Sequence, residues 1–246
     1  MNKKIHYIWL GEKKKPRVIR KCIKTWKKHL PDWKIIEWNE SNLNLNVCEY
    51  CTEAYNAHKY AFAADVLRFD ILYREGGLYF DTDVKLLKNI QPLIDECEAF
   101  CGFEFSMVAP GLVLYSKNPG DKIIYETLEM YKDAHFIENG VMNTKVVGEY
   151  FSDILARHGF NYKNEKQICD SFTIFPSTFF CPTDGYGNKI AFSNDTYSIH
   201  LYAGSWLPMN KRIVNRSKKF FYKHIGLERV QKMLNKLRKW QKREGA

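Results

Sequence analysis

The chain has 246 residues, 45% hydrophobic and 15% aromatic, with 38 Lys+Arg against 28 Asp+Glu for a net charge of +10. This excludes a disordered chain and suits one domain with an appended tail; no apolar run reaches the ~18 residues of a membrane span. The charge is segregated: residues 1–34 hold 12 basic and 2 acidic side chains, 35–210 hold 13 and 24, and 211–246 hold 13 and 2. An acidic body with two basic ends differs from a uniformly basic protein, and with no recognised nucleic-acid motif the chain is not expected to bind nucleic acid.

In chain order, Lys4 to Leu10 is rich in β-branched and aromatic residues and stops at Gly11, which predicts a buried first strand. Pro16 opens a helix that runs to about His29, and Pro31-Asp32 separates it from a second strand over Trp33 to Trp38. A helix over Tyr60 to Glu75 ends at Gly76-Gly77, read as a C-cap and turn, and Leu78 begins the next strand. Strands follow near Ala99–Phe103 and Leu112–Tyr115, then a helix from Asn118-Pro119 to about Asp133 and another over Val141–His158. Phe172–Phe175 and Thr196–Tyr202 are late strands. Alternating strands and helices make the fold class α/β.

The seven cysteines are odd in number and no apolar signal core precedes the first strand, so reduced thiols in a cytoplasm are expected. Cys48 and Cys51, with Cys97 and Cys101, have spacings that admit a zinc site; buried thiols are the simpler reading.

Asp81-Thr82-Asp83 carries the chemistry. On an extended chain the two carboxylates share a face and make a hard oxygen site for Mn²⁺ or Mg²⁺, completed by diphosphate oxygens and water. Alone the motif is weak: with 12 Asp in the chain it arises by chance roughly half a time, and it reads equally well as a solvated turn. Asp65 and Arg68 share a helix face just upstream, either as an ion pair or as groups facing a sugar diphosphate.

The run from Ala61 to Asp83, with Asp65, Arg68, Gly76-Gly77, Tyr79 and Asp81-Thr82-Asp83 in that order, closely resembles the signature of glycosyltransferase family 32, the DXD-containing sugar-binding region. Ile5 to Gly11 is similar to the first strand of that family and of the large clostridial glycosylating toxins. The resemblance implies that Trp9 stacks on the nucleotide base and Asn39, after the second strand, lies near it. His200 to Trp206 is similar to the family's closing His…Ser-Trp, which implies His200 as a third metal ligand with Asp81 and Asp83, and Ser205 and Trp206 beside the diphosphate. It also implies that Asp65, Arg68 and Tyr79 border the donor sugar. Ala64 departs from the pattern, where relatives often carry Ser, and puts one hydroxyl contact in doubt.

The implied protein is a GT-A type α/β fold, a central mixed sheet flanked by helices, over residues 1–210, with a basic C-terminal helical tail over 211–246. The implied reaction is metal-dependent, retaining transfer of a hexose from a UDP- or GDP-sugar to a glycan or lipid-linked saccharide, in capsular or other surface polysaccharide synthesis. The other classes weighed are a glycoside hydrolase, which also uses paired carboxylates, and a basic nucleic-acid-binding protein. Val230, Met233, Leu234, Leu237 and Trp240 fall at helical spacing among lysines and arginines. Two readings stand for that tail: an interfacial helix on an anionic membrane, at the inner face of the plasma membrane, or a helix packed on the body.

Overall fold

The computed structural model describes residues 3–183 and 192–204. Ser205, Trp206 and the basic tail lie outside the described residues.

The described chain begins with β1 (Lys4–Ile8), α1 (Arg17–His29), β2 (Lys34–Trp38), α2 (Glu49–Asn56) and α3 (Tyr60–Glu75). It continues through β3 (Gly77–Tyr79), β4 (Val84–Leu86), α4 (Gln91–Glu96), β5 (Ala99–Glu104), β6 (Met107–Val108) and β7 (Leu114–Ser116). Then come α5 (Lys122–Lys132), the hairpin of β8 (Ile137–Glu138) and β9 (Val141–Met142), and α6 (Val147–Ala156). Last are β10 (Gln167–Cys169), β11 (Phe172–Phe175), α7 (Ser177–Phe180) and β12 (Ser198–His200).

The main sheet runs β10-β11-β5-β7-β3-β1-β2, with β6 paired to β5. It is mixed. β1 lies parallel to both β2 and β3, whereas β7 is antiparallel to β3 and β5. Strand alternation divides the core between the two faces. Leu78 and Phe80 join Ile5, Tyr7, Trp26 and the α4 residues Leu93 and Ile94 on one side. Tyr79 joins Val66, Leu67, Phe69, Ile123 and Ile154, from α3, α5 and α6, on the other. Successive residues of a strand point to opposite faces, so a sheet covered by helices on both sides needs apolar runs of this kind. The α/β expectation, a central mixed sheet flanked by helices, is what the structure has.

Two predicted helices differ, and the late strand expected over Thr196–Tyr202 is confined to Ser198–His200. Val141–His158 is not one helix: Val141 and Met142 pair with Ile137 and Glu138 in the small hairpin, and α6 starts only at Val147. Asn139 and Gly140 both have positive φ and form the tight turn that makes the hairpin possible. The helix expected from Asn118-Pro119 starts at Lys122, because the Asp121 carboxylate accepts from the backbone N–H groups of Ile123 and Ile124 and caps it. Pro119-Gly120 remains a turn.

Buried His6 ties the sheet together. Its Nδ1 accepts from Trp38 Nε1 at 3.0 Å, and its Nε2 lies 3.0 Å from the Gly76 carbonyl. Burial lowers its pKa to about 4, so it is neutral, and the Nε2–H tautomer satisfies both partners. Gly77 has φ +94°, and a Cβ there would lie 2.7 Å from the Lys4 carbonyl oxygen. The second glycine is therefore demanded by the approach of β3 to β1 as well as by the helix end.

All seven cysteines are free, and burial raises the thiols of Cys22 and Cys51 to a pKa of about 12. Among the described residues no group of three or more His, Cys, Asp or Glu side chains stands in a metal-holding arrangement, so the zinc reading of the four cysteines has no support. No helix among the described residues is long and apolar enough to cross a membrane.

Candidate active site

Three parallel strands, β3, β1 and β2, lie side by side and end at the same edge. Trp9 follows β1, Asn39 follows β2, and Asp81 follows β3 two residues after Tyr79. In open α/β sheets ligands bind outside the carboxyl ends of such strands, so the topology gathers residues that are 30 to 70 positions apart in sequence.

Asp81 and Asp83 do not sit on an extended strand end. They form a turn: the Val84 N–H donates to the Asp81 carbonyl at 3.0 Å, and the chain then enters β4. The carboxylates consequently face different partners. Tyr79 Oη donates to Asp81 Oδ1 at 2.9 Å, and Arg68 Nη2 lies 3.5 Å from the same oxygen. Oδ2 of Asp81 has no hydrogen-bond partner among the described residues, and the side chain keeps 30% of its exposure. Arg68 is buried and bonds Asp65 Oδ1 at 2.6 Å. Asp65 and Arg68 thus form an intrahelical ion pair that also reaches Asp81.

Asp83 faces β12. That strand pairs antiparallel with β4 and sets His200 opposite Val84. His200 Nε2 lies 3.1 Å from Asp83 Oδ1, and the Ala203 N–H donates to Asp83 Oδ2 at 2.7 Å. The other ring nitrogen of His200 lies 2.9 Å from Glu104 Oε1, which also accepts from Tyr202 Oη at 2.7 Å. α1 supports this arm from below: Trp26 Nε1 donates to the Val84 carbonyl at 2.8 Å, and the Leu86 N–H donates to Thr25 Oγ1 at 3.0 Å.

The electrostatics follow from burial against pairing. Burial pushes Asp65 up to about 7, with Arg68 pulling it down and Asp81 pushing it further up. Burial also raises Asp81 against the pull of Arg68. For Asp83 burial acts upward too, but His200 and the Ala203 N–H outweigh it and hold the carboxyl below its ordinary value. Glu104 is likewise held low, because His200, Tyr202 and Cys181 together overcome its burial. The desolvation that opposes the charge of His200 is overcome by Asp83 and Glu104, so the imidazolium persists well above its usual range. Four carboxylates face one guanidinium and one imidazolium. Whether or not Asp65 is ionised, negative charge is left over.

That surplus suits a divalent cation. Mg²⁺ and Mn²⁺ take hard oxygens, and Mg²⁺ is held by one or two carboxylates with substrate phosphates and water. Asp81 Oδ2 is the unengaged donor among the described residues; the Asp83 oxygens are bonded by His200 and the Ala203 N–H, and each keeps one further lone pair for an ion. Both ring nitrogens of His200 are engaged by carboxylates, so as placed it orients Asp83.

Trp9 is half-buried: its Nε1 donates to the Lys13 carbonyl at 2.6 Å, and the Lys15 ammonium lies 5.7 Å from its ring centroid. Asn39 Oδ1 accepts from the N–H and hydroxyl of Ser41, an Asx turn that shapes the loop after β2. Ser205 and Trp206 fall outside the described residues.

Two site residues escaped the sequence reading. Glu104 is the last residue of β5, and an acid closing a buried strand was its only signal. Gly111 was hidden in a Pro-Gly pair that reads as an ordinary turn. A Cβ on Gly111 would lie 2.7 Å from Arg68 Nη1 and 2.9 Å from Asp81 Cγ, so only glycine lets Asp81 occupy its place.

The Asp-x-Asp turn after β3 lies beside the Asp65–Arg68 face of α3. Residues 16–100 match the family model of the glycosyltransferase sugar-binding region containing DXD motif, and the chain is a glycosyltransferase carrying that region. No curated protein matches the chain. Among solved structures it is similar to the PaToxG glycosyltransferase, with 19% identity over 63% of this chain and 69% of that one and a TM-score of 0.47. It is also similar to a glycosyltransferase involved in the glycosylation of the major capsid of PBCV-1, with 12% identity over 87% and 98% and a TM-score of 0.47. A third is the glycosyltransferase GlyE of Streptococcus pneumoniae TIGR4, with 12% identity over 89% and 60% and a TM-score of 0.46.

Proposed function

We propose that this glycosyltransferase is metal-dependent and retaining, of the family 32 kind. It moves a hexose from a UDP- or GDP-sugar to a glycan or lipid-linked saccharide in the synthesis of a surface polysaccharide. The observation that carries the reading is the Asp81–Asp83 turn at the end of β3. It holds surplus negative charge and a carboxylate oxygen without a protein partner among the described residues, beside the ends of two parallel strands.

Asp81 and Asp83 would hold Mn²⁺ or Mg²⁺; the ion supplies Lewis-acid stabilisation of the departing diphosphate. Trp9 and Asn39 border the nucleotide base; Arg68 and Tyr79, buried behind Asp81, and Asp65, paired to Arg68, support the sugar side of the site through that carboxylate. Arg68 keeps Asp81 in place and offsets its charge. His200, fixed by Glu104, keeps Asp83 ionised and oriented. In front-face transfer the bond from the anomeric carbon to diphosphate breaks as the bond to the acceptor oxygen forms on the same face, and the leaving phosphate takes the acceptor proton. No protein general base is assigned. The basic segment 211–246 favours a reaction at the anionic inner face of the plasma membrane, on the cytoplasmic side.

The test is a donor screen by release of UDP or GDP with Mn²⁺ present, repeated with EDTA and with Asp83→Asn. Turnover in one donor family, lost with the chelator and with Asp83→Asn while the circular dichroism spectrum is kept, is the expected result. Transfer at the wild-type rate in the variant or in EDTA would sink the metal-dependent reading.

A further inference from the structure

The hairpin of β5 and β6 carries Glu104 into the carboxylate cluster, and the residue after it behaves oddly. Phe105 is an aromatic residue with φ +56° that is itself 56% exposed. A left-handed backbone is rare for a bulky residue, and exposure of a large ring to water is unfavourable. Both features together invite a functional reading.

Phe105 is not isolated. Its ring stacks on Tyr202 with centroids 6.1 Å apart and planes inclined by 29°. Tyr202 also has positive φ, at 47°, and its ring lies 4.2 Å from that of His200. His200 in turn touches Asp83. A continuous path of rings therefore leads from the carboxylate turn to an outward-facing aromatic face.

Beyond Phe105 the same hairpin opens into a cleft of about 450 Å³ lined by Ser106, Met107, Lys145, Glu149, Asp153 and Tyr162. The volume falls within the range of small-ligand clefts, about 300–1,000 Å³. Its wall mixes hydroxyl, ammonium and carboxylate groups. Lys145 bonds Asp153 at 2.9 Å, and with Glu149 the wall carries two carboxylates against one ammonium.

We infer that Phe105 and this cleft form the acceptor subsite and take a neutral saccharide of two or more rings. One ring lies on the Phe105 face, where its C–H edges meet the electron-rich π surface. The next ring reaches the cleft, where Lys145, Asp153 and Tyr162 exchange hydrogen bonds with its hydroxyls. The excess of carboxylates disfavours an acidic sugar. The inference rests on the glycosyltransferase reading above and names the class of its second substrate.

The test uses lactose, cellobiose and maltose as probes, with glucuronic acid as the acidic comparison, followed by saturation-transfer NMR on the full chain. Wild-type protein should bind at least one neutral disaccharide and bind glucuronic acid more weakly. Phe105→Ala should weaken that binding about tenfold and Phe105→Trp should restore it to within about threefold. Release of nucleoside diphosphate from donor without acceptor is followed in the wild type, and both variants should keep its circular dichroism spectrum. Failure of the wild type to bind any of the disaccharides, or equal binding by Phe105→Ala, overturns the subsite. Since donor hydrolysis is measured separately, that outcome leaves the transferase reading standing, whereas absence of donor hydrolysis in the wild type counts against the transferase reading itself.

Discussion

Replacing Gly111 by Ala tests whether the position of Asp81 governs the reaction. The added methyl would sit 2.9 Å from Asp81 Cγ and 2.7 Å from Arg68 Nη1. Carbon contacts settle at about 3.5–4.0 Å, so the carboxyl group must move outward by more than about half an ångström at Cγ and further at its oxygens. Asp81 keeps 30% side-chain exposure and can swing toward solvent. The fold therefore loses little, on the order of 1 kcal/mol for overpacking that the site can relieve, or about 2–4 °C in Tm. Function responds differently. A displacement near 1 Å in a positioned group costs about a hundredfold in rate, and the swing also breaks the Tyr79 bond. The assay is release of nucleoside diphosphate from the donor found by the screen, beside a thermal melt followed by circular dichroism. Turnover of Gly111→Ala within threefold of wild type, with its Tm in this range, would refute the idea that the glycine exists to seat Asp81.

Two further outcomes are expected. Glu104→Gln keeps the volume but removes the charge facing His200; loss of an outer partner of this kind costs about ten- to a hundredfold, so transfer should fall by that factor without a change in the circular dichroism spectrum. His158 bridges α5 to the β10–β11 turn, with Nε2 2.8 Å from Glu126 and Nδ1 2.5 Å from Asp170. Its hydrogen bond to Glu126 leads the interactions that raise its pKa above the ordinary histidine value. A raised folded pKa gives stability that is fully present below the unfolded value, about 6.5, and is lost as pH rises through the folded one. His158→Gln should thus lower Tm by a few degrees at pH 6, on the order of 1 kcal/mol, and by less at pH 9. An equal loss at both pH values would show that the charged form contributes nothing.

The architecture was legible where local signals agreed with tertiary packing. α3 spans Tyr60–Glu75, the range read from the sequence, because Gly76 adopts positive φ and caps it. β11 likewise spans Phe172–Phe175, a β-branched and aromatic run between Ser171 and Pro176. Asp65, Arg68, Tyr79 and Asp81 come together because they lie within one helix and the strand after it, so sequence distance nearly stands for spatial distance. Glu104 and Gly111 were not legible. Each acts on a carboxylate through a pairing set by β5, β7 and β12, and no local pattern reports which strand lies next to which. The α6 boundary failed for another reason: Val141 and Met142 continue an apolar spacing that suits a helix, but Asn139-Gly140 turns the chain into a hairpin first.

His6 gives the carboxylate turn a fixed height. The imidazole grips the Gly76 carbonyl at one end of β3, and Gly77 allows the strand to press on Lys4, while Asp81 emerges at the other end. β3 is only three residues long, so the latch and the reactive turn are separated by a short, stiff spacer of about 3.3 Å per residue. The spacer works as a gauge block. Adding one residue between Gly77 and Asp81 would keep every motif residue yet rotate the first carboxylate to the opposite side of the sheet. Grafting Asp-Thr-Asp onto another scaffold would therefore have to carry the histidine, the two glycines and the strand length with it.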